Sequence, residues 1–242
     1  MKTWKSMAIG AGLSLGLTAS AATNRVETTL SAGASLTDGN SKTQQGNVSL
    51  VTEGERDKLG SFKVGIEGHY GESKKDDVKE TTINNIKGFA NVKKTLSEKT
   101  FAFFDLTLNH DEIADLKYRL AAGPGVGLFF VKSDSAKLSL ETGPSFVTEE
   151  KTDIKDEYVA LRVSQNGEIR FANKSKLWES VEYLPRIDHL DRYLLNSEIG
   201  LEAALNDHLN LRLVLQDKYD SNPAVEMENN DLSLIAGVRW KI

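Results

Sequence analysis

The chain has 242 residues, 39% hydrophobic and 27% charged, with no cysteine, four prolines and a formal net charge of −5. These proportions exclude a collagen-like repeat, a disulfide-stapled miniprotein and a disordered polyelectrolyte, and suit a single folded unit of β-rich size. Lys plus Arg is 30 against 35 Asp plus Glu, without a basic block, so nucleic acid is not an expected partner.

The first element is an address. Lys2 and Lys5 form a positive start, Met7 to Leu17 an apolar core, and Ala19-Ser20-Ala21 the small-residue pattern a signal peptidase reads. Cleavage after Ala21 divides the chain into a signal peptide, 1–21, and a mature domain, 22–242. That domain keeps 242 − 21 = 221 residues and a charge of 28 − 35 = −7. Beyond the signal no stretch offers the roughly 20 apolar residues of a transmembrane helix. An exported chain without cysteine has no disulfides to hold it.

From Arg25 onward the apolar residues recur with period 2, the pattern of strands with one greasy face. Val26, Leu30, Ala32, Ala34 and Leu36 alternate with Glu27, Thr29, Ser31, Gly33 and Ser35. Phe62, Val64, Ile66 and Tyr70 alternate with Lys63, Gly65, Glu67 and His69. Leu209, Leu211, Leu213 and Leu215 oppose Asn210, Arg212 and Gln216, and the last segment sets Val238, Trp240 and Ile242 against Gly237, Arg239 and Lys241. Twelve strands are expected, near 25–37, 43–52, 59–70, 81–93, 100–109, 117–131, 136–148, 158–171, 176–186, 193–205, 209–219 and 231–242.

Connections after even strands read as short turns, whereas most of those after odd strands read as longer charged loops, Gly71–Glu80, His110–Leu116, Glu149–Glu157, Ile187–Arg192 and Asp220–Asn230, with Asp38–Lys42 the short exception. A meander with tight turns at one end and long loops at the other is the build of an outer-membrane barrel. Twelve strands closed into one barrel enclose more space than Ala, Val and Leu can fill, so the apolar face is expected outward, against lipid. Closure also leaves no edge, which a bilayer demands. The fold class expected is therefore all-β, a closed antiparallel up-and-down transmembrane barrel.

The polar face would carry Glu27, Lys63, Glu67, His69, Asp105, Arg119, Glu141, Arg162, Glu198, Glu202, Arg212 and Arg239. With both signs present, mutual pairing of this lining is expected ahead of an open polar pore or a substrate-binding interior. The glycines of that face, Gly65, Gly125, Gly127 and Gly200 among them, would admit close packing of neighbours. Gly123-Pro124 and Gly143-Pro144 fall in consecutive strands, where proline removes ladder donors; a bulge or bend is expected where they meet. Aromatic residues near strand ends, including Tyr70, Phe101, Phe103, Phe130, Phe146, Tyr158, Phe171, Trp178 and Trp240, could form interfacial girdles or simply follow strand propensity.

Chemistry is sparse. His69, His110, His189 and His208 show no metal-ligand spacing, and Gly123-x-Gly125-x-Gly127 has no helix behind it to make a phosphate loop. No catalytic residue, cofactor or metal is expected, and the chain is not read as an enzyme. Two competing readings are a soluble periplasmic β-barrel or sandwich binding protein with its apolar face inward, and an outer-membrane lipid hydrolase drawing on His110-Asp111 and Ser164. The charged clusters Lys74-Lys75-Asp76-Asp77 and Glu149–Glu157 read as solvated loop tips, with cation bridging to lipopolysaccharide phosphates as the functional alternative.

A family resemblance overlies this reading. Ser31-Ala32-Gly33-Ala34-Ser35-Leu36-Thr37-Asp38-Gly39-Asn40-Ser41-Lys42-Thr43 resembles the first hairpin of the salt-induced outer-membrane proteins of the YdiY type. So do Gly123-Pro124-Gly125-Val126-Gly127, Leu140-Glu141-Thr142-Gly143-Pro144, and the run from Leu205-Asn206-Asp207-His208-Leu209 through Lys218-Tyr219-Asp220-Ser221-Asn222-Pro223. The resemblance covers nearly the whole mature chain and implies an outer-membrane barrel without established catalytic residues, a small diffusion pore or a structural, stress-related envelope protein. Its expected partners are outer-membrane lipid, lipopolysaccharide and the barrel assembly machinery. One departure is the end: many outer-membrane proteins finish on an aromatic, whereas this chain closes Trp240-Lys241-Ile242.

Overall fold

A computed structural model describes residues 25–37, 42–56, 60–75, 78–171 and 175–242. The signal peptide expected at 1–21 lies outside them, as do Asp76 and Asp77 of the first charged cluster. Twelve strands follow one another: β1 (Arg25–Thr37), β2 (Lys42–Arg56), β3 (Gly60–Lys75), β4 (Val78–Thr95), β5 (Thr100–Asp111), β6 (Leu116–Lys132), β7 (Ala136–Lys151), β8 (Ile154–Phe171), β9 (Ser175–Pro185), β10 (Tyr193–Ala204), β11 (Leu209–Asp220) and β12 (Asn230–Lys241). Each pairs antiparallel with its sequence neighbours, and β12 returns to β1, so the sheet is a closed up-and-down barrel.

Period-2 patterning sets which way every strand faces. Val48, Leu50, Val64, Ile66, Phe104, Leu106, Val126, Leu128, Leu211, Leu213, Val238 and Trp240 are exposed, while their alternates Ser49, Lys63, Glu67, Glu141, Arg162 and Arg239 are buried. The wall is greasy outside and charged within. That distribution contradicts the soluble sandwich alternative, whose apolar face would have to be covered.

Tight turns close one end of the barrel. Ser97 Oγ accepts from the backbone N–H of Lys99 and Thr100, Ser133 Oγ from Ala136, and Asn206 Oδ1 from His208 and Leu209 at 2.8 and 2.9 Å. These short side chains satisfy turn amides locally, which is why Ser and Asn stand there. The other end departs from expectation. Gly71–Glu80 and Glu149–Glu157 are not long loops: β3 runs to Lys75 and β4 starts at Val78, while β7 and β8 are joined by Thr152 and Asp153 alone. Both of those have positive φ, 48° and 61°, as a two-residue hairpin turn requires. Charged residues were read as loop because they break the apolar alternation. They extend the strands because their side chains pair across them, Lys79 with Glu72 at 2.9 Å and Lys117 with Glu150 at 3.0 Å. The connections that do stay open are 186–192 and 221–229. In the first, Arg186 donates to Asp188 at 3.0 and 3.1 Å, holding that carboxyl well below its ordinary range.

The two prolines meet face to face, and the regular pairing breaks there as expected, but with no bulge. The β6–β7 ladder pairs Ala122 with Phe146 and Val126 with Thr142, and is interrupted for the three rungs between. Register is the same on both sides, so Pro124 stands opposite Pro144 and both side chains point outward, exposed. The two missing N–H donors belong to the same rung. The loss is therefore symmetric and no extra residue is needed to absorb it. The carbonyls left without donors face the neighbouring glycines instead. A Cβ on Gly123 would lie 1.9 Å from Pro144 O, and one on Gly143 2.2 Å from Pro124 O. The register shifts of this hairpin fall near its ends, at Leu116/Tyr118 and Phe129/Val131.

Four of the aromatic residues near strand ends, Phe101, Phe103, Tyr158 and Trp178, lie inside rather than in an outer girdle. Phe101, Phe103 and Trp178 are 2%, 5% and 1% exposed, whereas Tyr70, Phe130, Phe146, Phe171 and Trp240 face outward. The reason is a glycine in the directly opposite position on the next strand: Phe101 on Gly127, Phe103 on Gly125, Trp178 on Gly200, and likewise Phe89 on Gly65. Each ring lies across its glycine, where a Cβ would fall 2.0–2.4 Å from a ring atom. A Gly200→Val substitution is expected to drive Trp178 off this seat and cost roughly 1–3 kcal/mol. Gly88→Ala, where a new Cβ meets nothing within 4 Å, should stay within about 0.5 kcal/mol of the parent. The temperature at which the compact gel band is lost measures both.

Candidate functional site

The inside of the barrel gathers the charged side chains of the chain, and their partners show how it is built. Strands that are not neighbours in the sheet can touch only across the interior, and several ion pairs join such strands. Arg119 on β6 reaches Asp220 on β11 at 2.8 Å, five strands away, and also pairs with Glu149. Lys151 on β7 meets the same Asp220 at 2.7 Å and the carbonyl of Asn222 at 3.0 Å. These groups stand at the end of the barrel with the open connections, where Glu149, Lys151, Tyr158, Arg186, Tyr193 and Asp220 border a small recess.

Deeper inside, Glu141 on β7 is 1% exposed and accepts from Lys93 of β4 at 2.5 Å and from Arg162 of β8 at 3.1 Å. Arg162 also donates to Glu182 at 2.6 Å, and its guanidinium lies 5.2 Å from the ring of Phe103, three strands away. Asp105 accepts from Asn91 at 2.9 Å. Toward the tight-turn end, Arg239 of β12 reaches Glu202 of β10 at 3.1 Å, Glu53 of β2 at 3.4 Å and Glu27 of β1 at 3.8 Å. Lys63 stands 3.8 Å from Glu53, Lys176 3.9 Å from Glu202, and Lys241 pairs with Glu27. Glu67 has Lys87 at 3.9 Å. Glu198 accepts from Trp178 Nε1 at 2.7 Å and Gln216 at 3.3 Å. Arg212 lies over the Trp178 ring, 4.9 Å from its centroid.

The structure thus puts Lys63, Glu67, Arg119, Glu141, Arg162, Glu198, Glu202, Arg212 and Arg239 on one inner surface, in several clusters rather than one site. Sequence reasoning missed their partners. Glu149, Lys151 and Asp220 were read as loop residues, and Lys93 as a strand end. The available signal was parity: 141, 143, 145, 147, 149 and 151 share one face, and continuing that count past the apolar run brings Glu149 and Lys151 inside. His110 and Ser164 are not brought together. His110 Nδ1 sits 2.8 Å from the Lys117 carbonyl, and Ser164 is buried beside Asn166 on the inner face of β8. The hydrolase alternative has no assembled nucleophile and base there. Among the described residues no three His, Cys, Asp or Glu side chains are grouped to hold a metal.

A side chain facing a water-filled corridor remains accessible to water. Lys63, Glu67, Glu141, Arg162, Glu202, Arg212 and Arg239 are each under 9% exposed. The interior at their level is a braced charge network. Removing one member of a buried pair strands its partners, at roughly 3–5 kcal/mol, against about 0–1 for an exposed pair. Glu141→Ala, which would leave Lys93 and Arg162 uncompensated, is therefore expected to lower stability by several kcal/mol, and Lys79→Ala, at the exposed pair with Glu72, by less than about 1. Chemical denaturation of the folded barrel distinguishes them.

The comparisons agree with this architecture. The fold is similar to the NanC porin, with a TM-score of 0.55 at 9% identity, covering 89% of this chain and all of that one. Weaker likenesses include the KdgM porin, at TM-score 0.47, 9% identity and coverage of 90% and 99%. The translocator domain of the autotransporter NalP from Neisseria meningitidis also aligns at 0.47, with 10% identity and coverage of 90% and 87%. No curated protein sequence matches. The model of the DUF481 family, described as a protein of unknown function, matches residues 30–241, and the chain belongs to that family.

Proposed function

We propose that this protein is an integral outer-membrane β-barrel, exported by its first 21 residues, that serves the envelope as a braced structural element with at most a narrow path for small solutes. The observation that carries the reading is the inverted wall. Leu, Val, Ile and Phe side chains cover the outside of a sheet without edges, an arrangement that in water would expose far more contiguous apolar surface than soluble proteins tolerate. A bilayer removes that penalty, and closure satisfies the backbone groups it cannot solvate. Strands of 11–18 residues meet or exceed the roughly 9–11 a tilted crossing needs, leaving the charged extensions of β3, β4, β7 and β8 to stand beyond the membrane. Lipid and lipopolysaccharide then surround the barrel, and the envelope's barrel assembly machinery inserts it.

The cross-wall pairs support bracing over free diffusion, and a narrow pore stays as the second reading because the pairs are polar and breakable. Membrane fractionation tests the first statement. The protein is expected with the outer membranes, extracted only by detergent and shifting in gel mobility on boiling; release by osmotic shock as a detergent-free soluble species would overturn it. Planar-bilayer recording tests the second. The unaltered barrel should pass little current, and Asp220→Asn, which weakens the tie of Arg119 and Lys151 across the interior and leaves them with Glu149 on their own side, should raise it. A wide open-pore conductance in the unaltered protein would contradict the bracing.

A further inference from the structure

We infer that the barrel interior holds a binding site for a small carboxylate anion, built on Arg212 and extending over Gly237 and Gly33 to Asn47. The inference rests on the barrel fold and its inner surface, not on where the barrel resides. Arg212 is 6% exposed, yet its Nε and Nη2 have no hydrogen-bond partner. Those two nitrogens are the parallel donor edge of a guanidinium, the edge that grips both oxygens of a carboxylate at once. A buried cation with that edge unused is costly, and every other inner arginine of the described residues escapes the cost by pairing with carboxylates.

Three carboxylates face Arg212; Glu202 and Glu198 are engaged elsewhere, and Glu67, with Lys87 3.9 Å from one oxygen, makes no hydrogen bond to the arginine. Glu202 stands directly opposite it on β10 but is held by Arg239 at 3.1 Å and by Asn210. Both oxygens of Glu198 are taken by Trp178 and Gln216. Trp178 meanwhile fixes the guanidinium plane from one face, 4.9 Å from its centroid. The arginine is oriented, desolvated and unfilled, the state that preorganises a donor for an anion.

The neighbouring rungs give the ligand its second feature. Opposite Arg212 on β12 is Gly237, and opposite Asn47 on β1 is Gly33. A Cβ at Gly237 would lie 3.4 Å from the Gly33 Cα, so two bare backbones separate Arg212 from Asn47. Both the nitrogen and the oxygen of the Asn47 amide are buried and unpartnered. That amide rests over Gly33 with its donor and its acceptor both unused. With strands about 4.8 Å apart, the three spacings from β11 to β2 total about 14 Å between backbones, less the reach of the two side chains. A carboxylate carrying a hydroxyl or amide a few bonds away fits both ends.

Trp178 is the reporter. In detergent-folded protein, sodium gluconate and sodium acetate are each expected to change its emission saturably, gluconate at lower concentration because its hydroxyls reach Asn47. Sodium chloride at equal ionic strength and sorbitol should not. The response should survive Trp240→Phe, vanish with Trp178→Phe, and shift at least tenfold to higher concentration in Arg212→Lys, which keeps the charge but lacks the planar edge. Asn47→Ala should weaken gluconate without affecting acetate. No saturable response to either carboxylate in the unaltered protein, an equal response to chloride or inorganic phosphate, or an unchanged Arg212→Lys would each overturn the site. The arms on unaltered protein decide the question even where a variant fails to fold.

Discussion

A strand can show its two alternating faces to two different surroundings, and this chain assigns the polar one to the inside. Everything else in the fold answers the difficulty this creates. A barrel with an apolar interior is held by burial of its core, whereas here the interior holds Glu141 at 1% exposure and Arg162 at 6%. Such groups are costly unless matched, and most of them here are. The matching cannot be done by sheet neighbours alone, because it draws on Lys93 from β4, Glu141 from β7 and Arg162 from β8 in one cluster. Closure of the sheet and neutrality of the interior are therefore coupled: the pairs exist only if the ring closes in this register, and the ring can be this narrow only if the pairs form.

Glycine makes the narrowness possible. Where Phe101, Phe103 and Trp178 turn inward, the opposite strand carries no side chain, and the ring takes that space. The rings then present faces to cations: Lys93 over Phe101 at 5.1 Å, Arg162 over Phe103 at 5.2 Å, Arg212 over Trp178 at 4.9 Å. An aromatic on a glycine thus does two things at once, filling volume that charged side chains would leave open and lending those charges a partner that costs little desolvation. Trp178 with Val214 and Ile235 makes a small apolar core, and Val147, Ala160 and Leu184, with Tyr158 against them, make another.

Strand number, strand order and the direction of each face could be read from alternation, because most strands carry that pattern strongly enough to count, β2, β4 and β9 least so. Parity also brought Lys63, Glu67, Arg119, Glu141, Arg162, Glu198, Glu202, Arg212 and Arg239 onto a common face. What alternation does not carry is where a strand ends once both its faces are polar, so it puts Lys79, Glu149 and Lys155 in loops although their strands continue. Nor does it carry who meets whom across the interior. Arg119 and Asp220 are 101 residues apart and joined only through closure. The inward aromatics were legible in principle, since Phe101 and Phe103 share parity with Asp105, but proximity to a strand end suggested the membrane boundary instead. The prolines illustrate the same limit: hairpin arithmetic could align Pro124 with Pro144, while the outcome depended on the glycines beside them accepting a carbonyl where any Cβ would collide.

The join between first and last strands is the shortest ladder of the barrel. It has four rungs, Thr29–Lys241 to Ala32–Val238, prolonged by Ile242 N–H to Thr28 O at 2.9 Å. The pairing stops at Gly33 and Gly237, where a Cβ would meet opposing backbone oxygens at 2.6 and 2.7 Å. Arg212 and Asn47 flank this point from β11 and β2, so a ligand spanning them crosses the least hydrogen-bonded line in the wall. Whatever binds the closed ring and not the open one stabilises closure by mass action. The side chains left without partners and the weakest join of the barrel are then parts of a single equilibrium, and the unused donor edge of Arg212 is where a small anion would act on it.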